Sequence, residues 1–150
     1  MANAILAFQS HDLVRSQQLL DQLLSLDAKY PEAVSLRARI ALQEGNLHFA
    51  IRFLQEQLRR FGDNPGIHET YASALYLSHL WNDARVQLGI AAKLGAPDWR
   101  ISFGLGLIDE SQGLFAQAKA HYEEALRARP NWKPPEARLR ALIAEGKVSP

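Results

Sequence analysis

Five histidines, two pairs of adjacent acids and one Gly-x-Gly element are the residues of this chain that could do chemistry. The histidines are His11, His48, His68, His79 and His121. No two stand at the i, i+4 spacing that would set two imidazoles on one helical face around a metal ion, so structural or solvated roles are expected of them. Asp109-Glu110 and Glu123-Glu124 are neighbours in the chain. Consecutive residues of a helix point about 100° apart, which keeps such a pair from working as a catalytic dyad, and a wet face is expected of both. Gly104-Leu105-Gly106 lacks the strand–turn–helix setting of a phosphate loop and reads as a close-packing feature. No Gly-x-Ser-x-Gly element occurs. With no catalytic, cofactor or metal constellation, enzyme activity is not expected.

Composition narrows the partners. Lys and Arg total 17 against 16 Asp and Glu, a formal charge of +1, which gives no overall pull toward nucleic acid or an anionic membrane. Arg59-Arg60 and Arg127 with Arg129 end helices, where cations oppose the negative end of the dipole, so no nucleic-acid partner is expected. The chain has no cysteine, which excludes disulfides, thiolate catalysis and Cys-based zinc sites. No stretch approaches the roughly 18 apolar residues of a membrane span, so no direct membrane insertion is expected. Met1 to Ser10 hold no basic region followed by a long apolar run, so no signal peptide is expected there. The cytoplasm is the favoured compartment, with the periplasm open to a fragment of a longer chain.

The elements that must position these residues recur at a fixed step. Ala38, Ala72 and Gly106 are separated by 34 residues each, as are Ala50, Ala84 and Ala118. Leu54, Leu88 and Tyr122 share the step, and so do Leu58, Ala92 and Leu126. The units run 31–64, 65–98 and 99–132, with 1–30 a truncated first unit and 133–150 the first half of another. Each reads as two helices: Phe115, Ala118, Tyr122, Ala125 and Leu126 make one helical face, as do Leu47, Ala50, Ile51, Leu54 and Leu58. Gly45 and Gly113 precede second helices in one column, where positive φ lets the chain turn. His79 stands in that column too, so its turn is expected to close differently. Prolines or asparagines at Tyr30-Pro31, Asp63-Asn64-Pro65, Ala96-Pro97-Asp98 and Pro130-Asn131 mark the junctions.

A 34-residue helix–turn–helix period resembles the tetratricopeptide repeat. Leu105-Gly106, Gly113, Ala118, Tyr122, Ala125 and Pro130 carry the resemblance best, and the earlier units match at Tyr71-Ala72, Ala84, Leu88 and Ala91 and at Ala38, Gly45, Ala50, Leu54 and Leu58. Arg37, His68, Ser102, Gly62 and Ala96 depart from the pattern. The resemblance implies an all-α, right-handed α-solenoid with a C-terminal capping helix, here expected over 134–146, and a frayed tail at Val148-Ser149-Pro150. It implies a concave face, built by the first helices, that holds peptides or helices of partner proteins. On it would stand Arg39, Gln43, Glu69, Ser73, Tyr76, Arg100 and Phe103, with Arg138 from the cap and Phe8 extending the surface. Leu42, Leu77 and Leu107 could serve this face or the core. One subclass grips the carboxylate of chaperone tails with a Lys/Asn/Asn/Lys/Arg clamp. At those positions this chain has Ser35, Arg39, Thr70, Arg100 and Gly104, which argues against that ligand.

The leading expectation is therefore a binding scaffold or chaperone-like adaptor without cofactor. The Ala- and Leu-rich rhythm suggests a bacterial pilus, secretion or envelope assembly. The alternative is self-assembly, end to end or through a ridge of Trp99 and Trp132, although these are expected to pack over the inter-repeat loops.

Overall fold

The computed structural model describes residues 1–26 and 30–149. Among them there are nine helices and no strand. They are α1 (Ala2–Gln9), α2 (Leu13–Leu26), α3 (Pro31–Gln43), α4 (Leu47–Phe61), α5 (Pro65–Leu77), α6 (Trp81–Lys93), α7 (Asp98–Ser111), α8 (Phe115–Ala128) and α9 (Lys133–Ala144). Each helix packs on its chain neighbours, and the odd-numbered helices α3, α5 and α7 also touch along one side. The chain is thus a solenoid of helical hairpins.

Local chemistry sets the helix ends. Pro31 and Pro65 open α3 and α5, where their fixed φ suits the first turn and the missing N–H costs nothing. Asn64 Oδ1 accepts from the Ile67 N–H at 3.2 Å, capping the start of α5. The four turns inside the hairpins are alike. His11, Gly45, His79 and Gly113 all have φ between 60° and 76°. Each turn carries the same pair of main-chain bonds, such as Asn46 N–H to Ala41 C=O at 2.8 Å and Leu80 N–H to Leu75 C=O at 2.9 Å. The turn at His79 therefore does not close differently, contrary to the sequence expectation. A side chain in this conformation costs about 1–2 kcal/mol. Two closing bonds and the stacked hairpins on either side hold it there, and the His79 ring packs edge-on to Trp81 at 5.7 Å.

The core explains the 34-residue columns. Ala38, Leu54, Ala72 and Leu88 are buried together, and Gly106 lies against Tyr122. The sizes compensate. Where the second helix carries Leu, the first carries Ala; where it carries the larger Tyr122, the first carries Gly. A Cβ on Gly106 would sit 2.5 Å from Tyr122 Cε1, and one on Gly104 would sit 2.9 Å from Leu88 Cδ1.

Arg37, His68 and Asp109 are buried in the stack with polar partners. Arg37, at a position where the repeat usually has a large apolar side chain, is only 8% exposed. Its Nε donates to Asp21 Oδ1 at 2.8 Å and its guanidinium lies 4.7 Å from the centre of the Phe49 ring. His68 bonds Gln87 Oε1 at 2.7 Å and the Gly62 carbonyl at 2.9 Å. Asp109 and Glu110 do not form the expected wet face. Asp109 is fully buried, accepting from Arg85 Nη2 at 2.7 Å and meeting His121 Nδ1 at 2.6 Å. Its partners come from α6 and α8, so burial here follows from the meeting of three helices. Glu123 and Glu124 are exposed.

The end of the chain is docked rather than frayed. Val148 packs on the Tyr122–Leu142 cluster, Lys147 lies over the Phe115 ring, and Lys119 donates to the Ser149 carbonyl at 2.6 Å. Pro150, also assigned to the tail, lies outside the described residues.

The size compensation is testable. Gly106→Ala should lower stability to urea by about 1–3 kcal/mol through overpacking, despite the better helix propensity of Ala. In a Tyr122→Leu background the same change should be neutral or stabilising.

Candidate partner-binding groove

The first helices α1, α3, α5 and α7 line one open groove of about 940 Å³. Its floor is short: Ser35, Gly66, Thr70 and Ser73 contribute little bulk. Glu32, Gly66 and Arg100 occupy one column of the repeat. A Cβ on Gly66 would stand 3.2 Å from Asn64 Oδ1, the acceptor that caps α5. Phe8, Leu36, Leu42 and Pro65 supply apolar walls, joined by Met1 and Ile5 of the first helix. Arg39 stands over the Phe8 ring at 5.1 Å, a stacking that occupies the guanidinium face and leaves its N–H edges toward solvent.

At the far wall Arg100 Nε lies 3.0 Å from Glu69 Oε2 in an ion pair. Burial pushes the Glu69 carboxyl above the usual carboxylate range, and the Arg100 charge pulls it back only in part. The two nearest hydroxyls are turned away from that carboxylate. Ser73 Oγ donates to the Glu69 main-chain carbonyl at 3.0 Å and Thr70 Oγ1 donates to the Gly66 carbonyl at 2.8 Å.

The residues expected on the concave face divide into two groups. Arg39, Gln43, Glu69, Ser73 and Arg100 line the groove together with Phe8. Tyr76, Phe103 and Arg138 do not. Tyr76 shares a hydrogen bond with Ser111 Oγ at 3.0 Å and lines a small hollow with Leu107 and the groove residue Ser73. Phe103 is held between Trp132, ring centres 4.8 Å apart, and Tyr122, at 5.8 Å. Arg138 Nε donates to Glu110 Oε2 at 2.9 Å, and Glu110 also accepts from the Tyr122 hydroxyl at 2.6 Å. Burial, then the bond to Glu110, raises the Tyr122 hydroxyl above its ordinary pKa. Trp132 and Arg138 of the C-terminal segment thus engage the α7 residues Phe103 and Glu110. Trp99 and Trp132 pack edge to face at 4.6 Å with Arg129 over both rings, so they form a closed cluster rather than a ridge. Of the ambiguous leucines, Leu42 lines the groove, Leu107 packs at the capping end and Leu77 is exposed.

The architecture has clear counterparts. TTC0263, a thermophilic TPR protein of Thermus thermophilus, superposes with a TM-score of 0.86 at 16% identity, over 97% of this chain and 80% of that one. The PilF protein of Pseudomonas aeruginosa does so at 0.83 and 20% identity, over 97% and 67%. The chain has the tetratricopeptide-repeat fold. The first TPR of Spaghetti (RPAP3), solved bound to the HSP90 peptide SRMEEVD, matches at 0.66 and 18% identity, over 77% of this chain and 91% of that one. No protein-family model matches the chain, and no curated protein matches it in sequence.

Reading the repeat columns places Arg39, Glu69, Ser73 and Arg100 on one face. It does not mark Gly66, which also lines the groove, as a recognition position.

Glu69 should cost the fold stability. Its carboxyl has a higher pKa folded than unfolded, so its contribution is most favourable below the unfolded value near 4.5 and declines as pH rises through the folded value. Glu69→Gln removes that decline. The variant should be at least as stable as the parent at pH 7, and its advantage should vanish below pH 4.5. Urea titrations across that range measure both.

Proposed function

We propose that the chain is a non-enzymatic interaction scaffold that receives a segment of a partner protein in the groove spanning α1 to α7. One observation carries this reading. Between Phe8 and Arg100 the first helices leave a groove of about 940 Å³. Short floor residues keep it open, and its walls combine apolar surface with guanidinium groups, the mixture that supports recognition of a chain segment. The peptide-bound RPAP3 repeat supports the reading by showing such a fold holding a peptide. The ligand class differs. Asparagines of the carboxylate clamp are absent, and Ser35 and Thr70 stand in the groove at two of its positions. We therefore propose an internal segment, and not a chaperone tail, as the occupant.

Ser73 is exposed on the groove floor, so a bulky side chain there should obstruct the groove without disturbing the core. Random peptides displayed on phage and selected on the chain should include binders lost on Ser73→Trp and kept on Arg52→Ala, an exposed position of α4 outside the groove. Circular dichroism should show unchanged helix content in both variants. Binders indifferent to Ser73→Trp would place recognition elsewhere.

A further inference from the structure

Beside the groove the first helices leave a second, smaller opening, and its lining specifies one side chain of the ligand. Its assignment rests on the groove being the binding site. Between α5 and α7 lies a hollow of about 50 Å³. Ser73 lines both the hollow and the groove, so the two openings adjoin. α5 and α7 run in contact over less of their length than α3 and α5 do, which leaves room for it.

One column of the repeat accounts for the opening. Position 104 follows Leu36 and Thr70 at steps of 34 residues. Both of those side chains are buried, whereas glycine at 104 has none to bury. A Cβ there would stand 2.9 and 3.2 Å from the two methyl carbons of Leu88, and Leu88 itself lines the hollow. Leu107 and Ile108 of α7 supply further apolar wall.

The lining selects the chemistry of what enters. No charged side chain borders the hollow, and its two hydroxyls already have partners inside the fold. Ser73 Oγ donates to the Glu69 main-chain carbonyl at 3.0 Å, and Tyr76 shares a bond of 3.0 Å with Ser111 Oγ. A polar side chain would give up bonds to water that these walls do not replace, while an apolar one gains by leaving water. Size narrows the choice further. One water needs about 10–15 Å³ on this scale, so the hollow takes about four non-hydrogen atoms. That is the side chain of leucine, isoleucine or methionine, and an aromatic ring exceeds it.

We propose that the groove-bound segment carries a leucine, isoleucine or methionine whose side chain enters the hollow between α5 and α7 and anchors the segment there. A single apolar anchor in a fitted pocket can hold a large share of the binding energy of such a contact.

The test begins from phage-selected peptides whose binding to the intact chain is abolished by Ser73→Trp. They should share a leucine, isoleucine or methionine position. A groove-dependent set with a polar or aromatic residue in its place would overturn this inference and leave the groove reading standing. No groove-dependent peptide at all would overturn both. The best binder is next synthesised with its shared aliphatic residue, and with alanine or asparagine instead, and titrated calorimetrically. Each exchange should weaken binding to the parent chain by about tenfold or more, and undiminished binding of either peptide overturns the proposal. Location is read separately by NMR. In the parent chain labelled at its leucine and isoleucine methyl groups, protons of the anchor should show cross-peaks to Leu88, Leu107 and Ile108. Cross-peaks to Leu36 and Leu42 of the groove alone would remove the hollow as the anchor site.

Discussion

Everything in this molecule depends on how closely two helices of a hairpin can approach, and side-chain volume at one column sets that distance. Ala38 and Ala72 face Leu54 and Leu88, and Gly106 faces Tyr122, where even a methyl would stand 2.5 Å from the ring. A close-packed interior responds to single methylenes, so this column fixes the hairpin and the hairpin fixes its neighbour. The tight turn follows from the same demand. It needs positive φ at His11, Gly45, His79 and Gly113, and two histidines accept that conformation because the surrounding bonds leave no alternative.

Once the hairpins stack, the first helices present equivalent columns on the concave side, and the side chains in them decide whether that side is open. The column of Ser35, Glu69 and Phe103 shows the gradient. Serine leaves space, glutamate lines the groove, and phenylalanine is taken up by Tyr122 and Trp132. The column of Leu42, Tyr76 and Glu110 runs the same way, ending in an acid bound by Arg138. One regular backbone therefore carries an open half and a closed half. The helix that covers the last hairpin, α9, supplies the Arg138 that binds Glu110.

What could be read from the sequence follows from this division. The hairpins and their junction prolines obey the period, and the resemblance to the tetratricopeptide repeat puts Arg39, Glu69, Ser73 and Arg100 on one face. The exceptions involve partners that the period does not specify. Phe103 and Arg138 leave the groove because the end of a solenoid has its own exposed surface to cover. Asp109 is buried because Arg85 and His121 arrive from two other helices, at separations of 24 and 12 residues that no local pattern marks. His79 departs from expectation for the opposite reason. Its side chain suggests another turn, while the main-chain bonds around it repeat the one already present at Gly45 and Gly113.

The separation between packing columns and groove columns also explains how a costly residue can persist. In a solenoid each hairpin is stabilised chiefly by its nearest neighbours, so an unfavourable side chain weakens adjacent contacts and not the whole array. Glu69 lies on α5 away from the face that buries Ile67, Ala74 and Leu75, and its desolvated carboxylate disturbs none of the small-residue contacts that define the hairpin. Stability resides in columns facing inward between helices, and recognition in columns facing the groove. A substitution such as glycine at 66 or glutamate at 69 can then reshape the ligand site while the architecture that presents it stays the same.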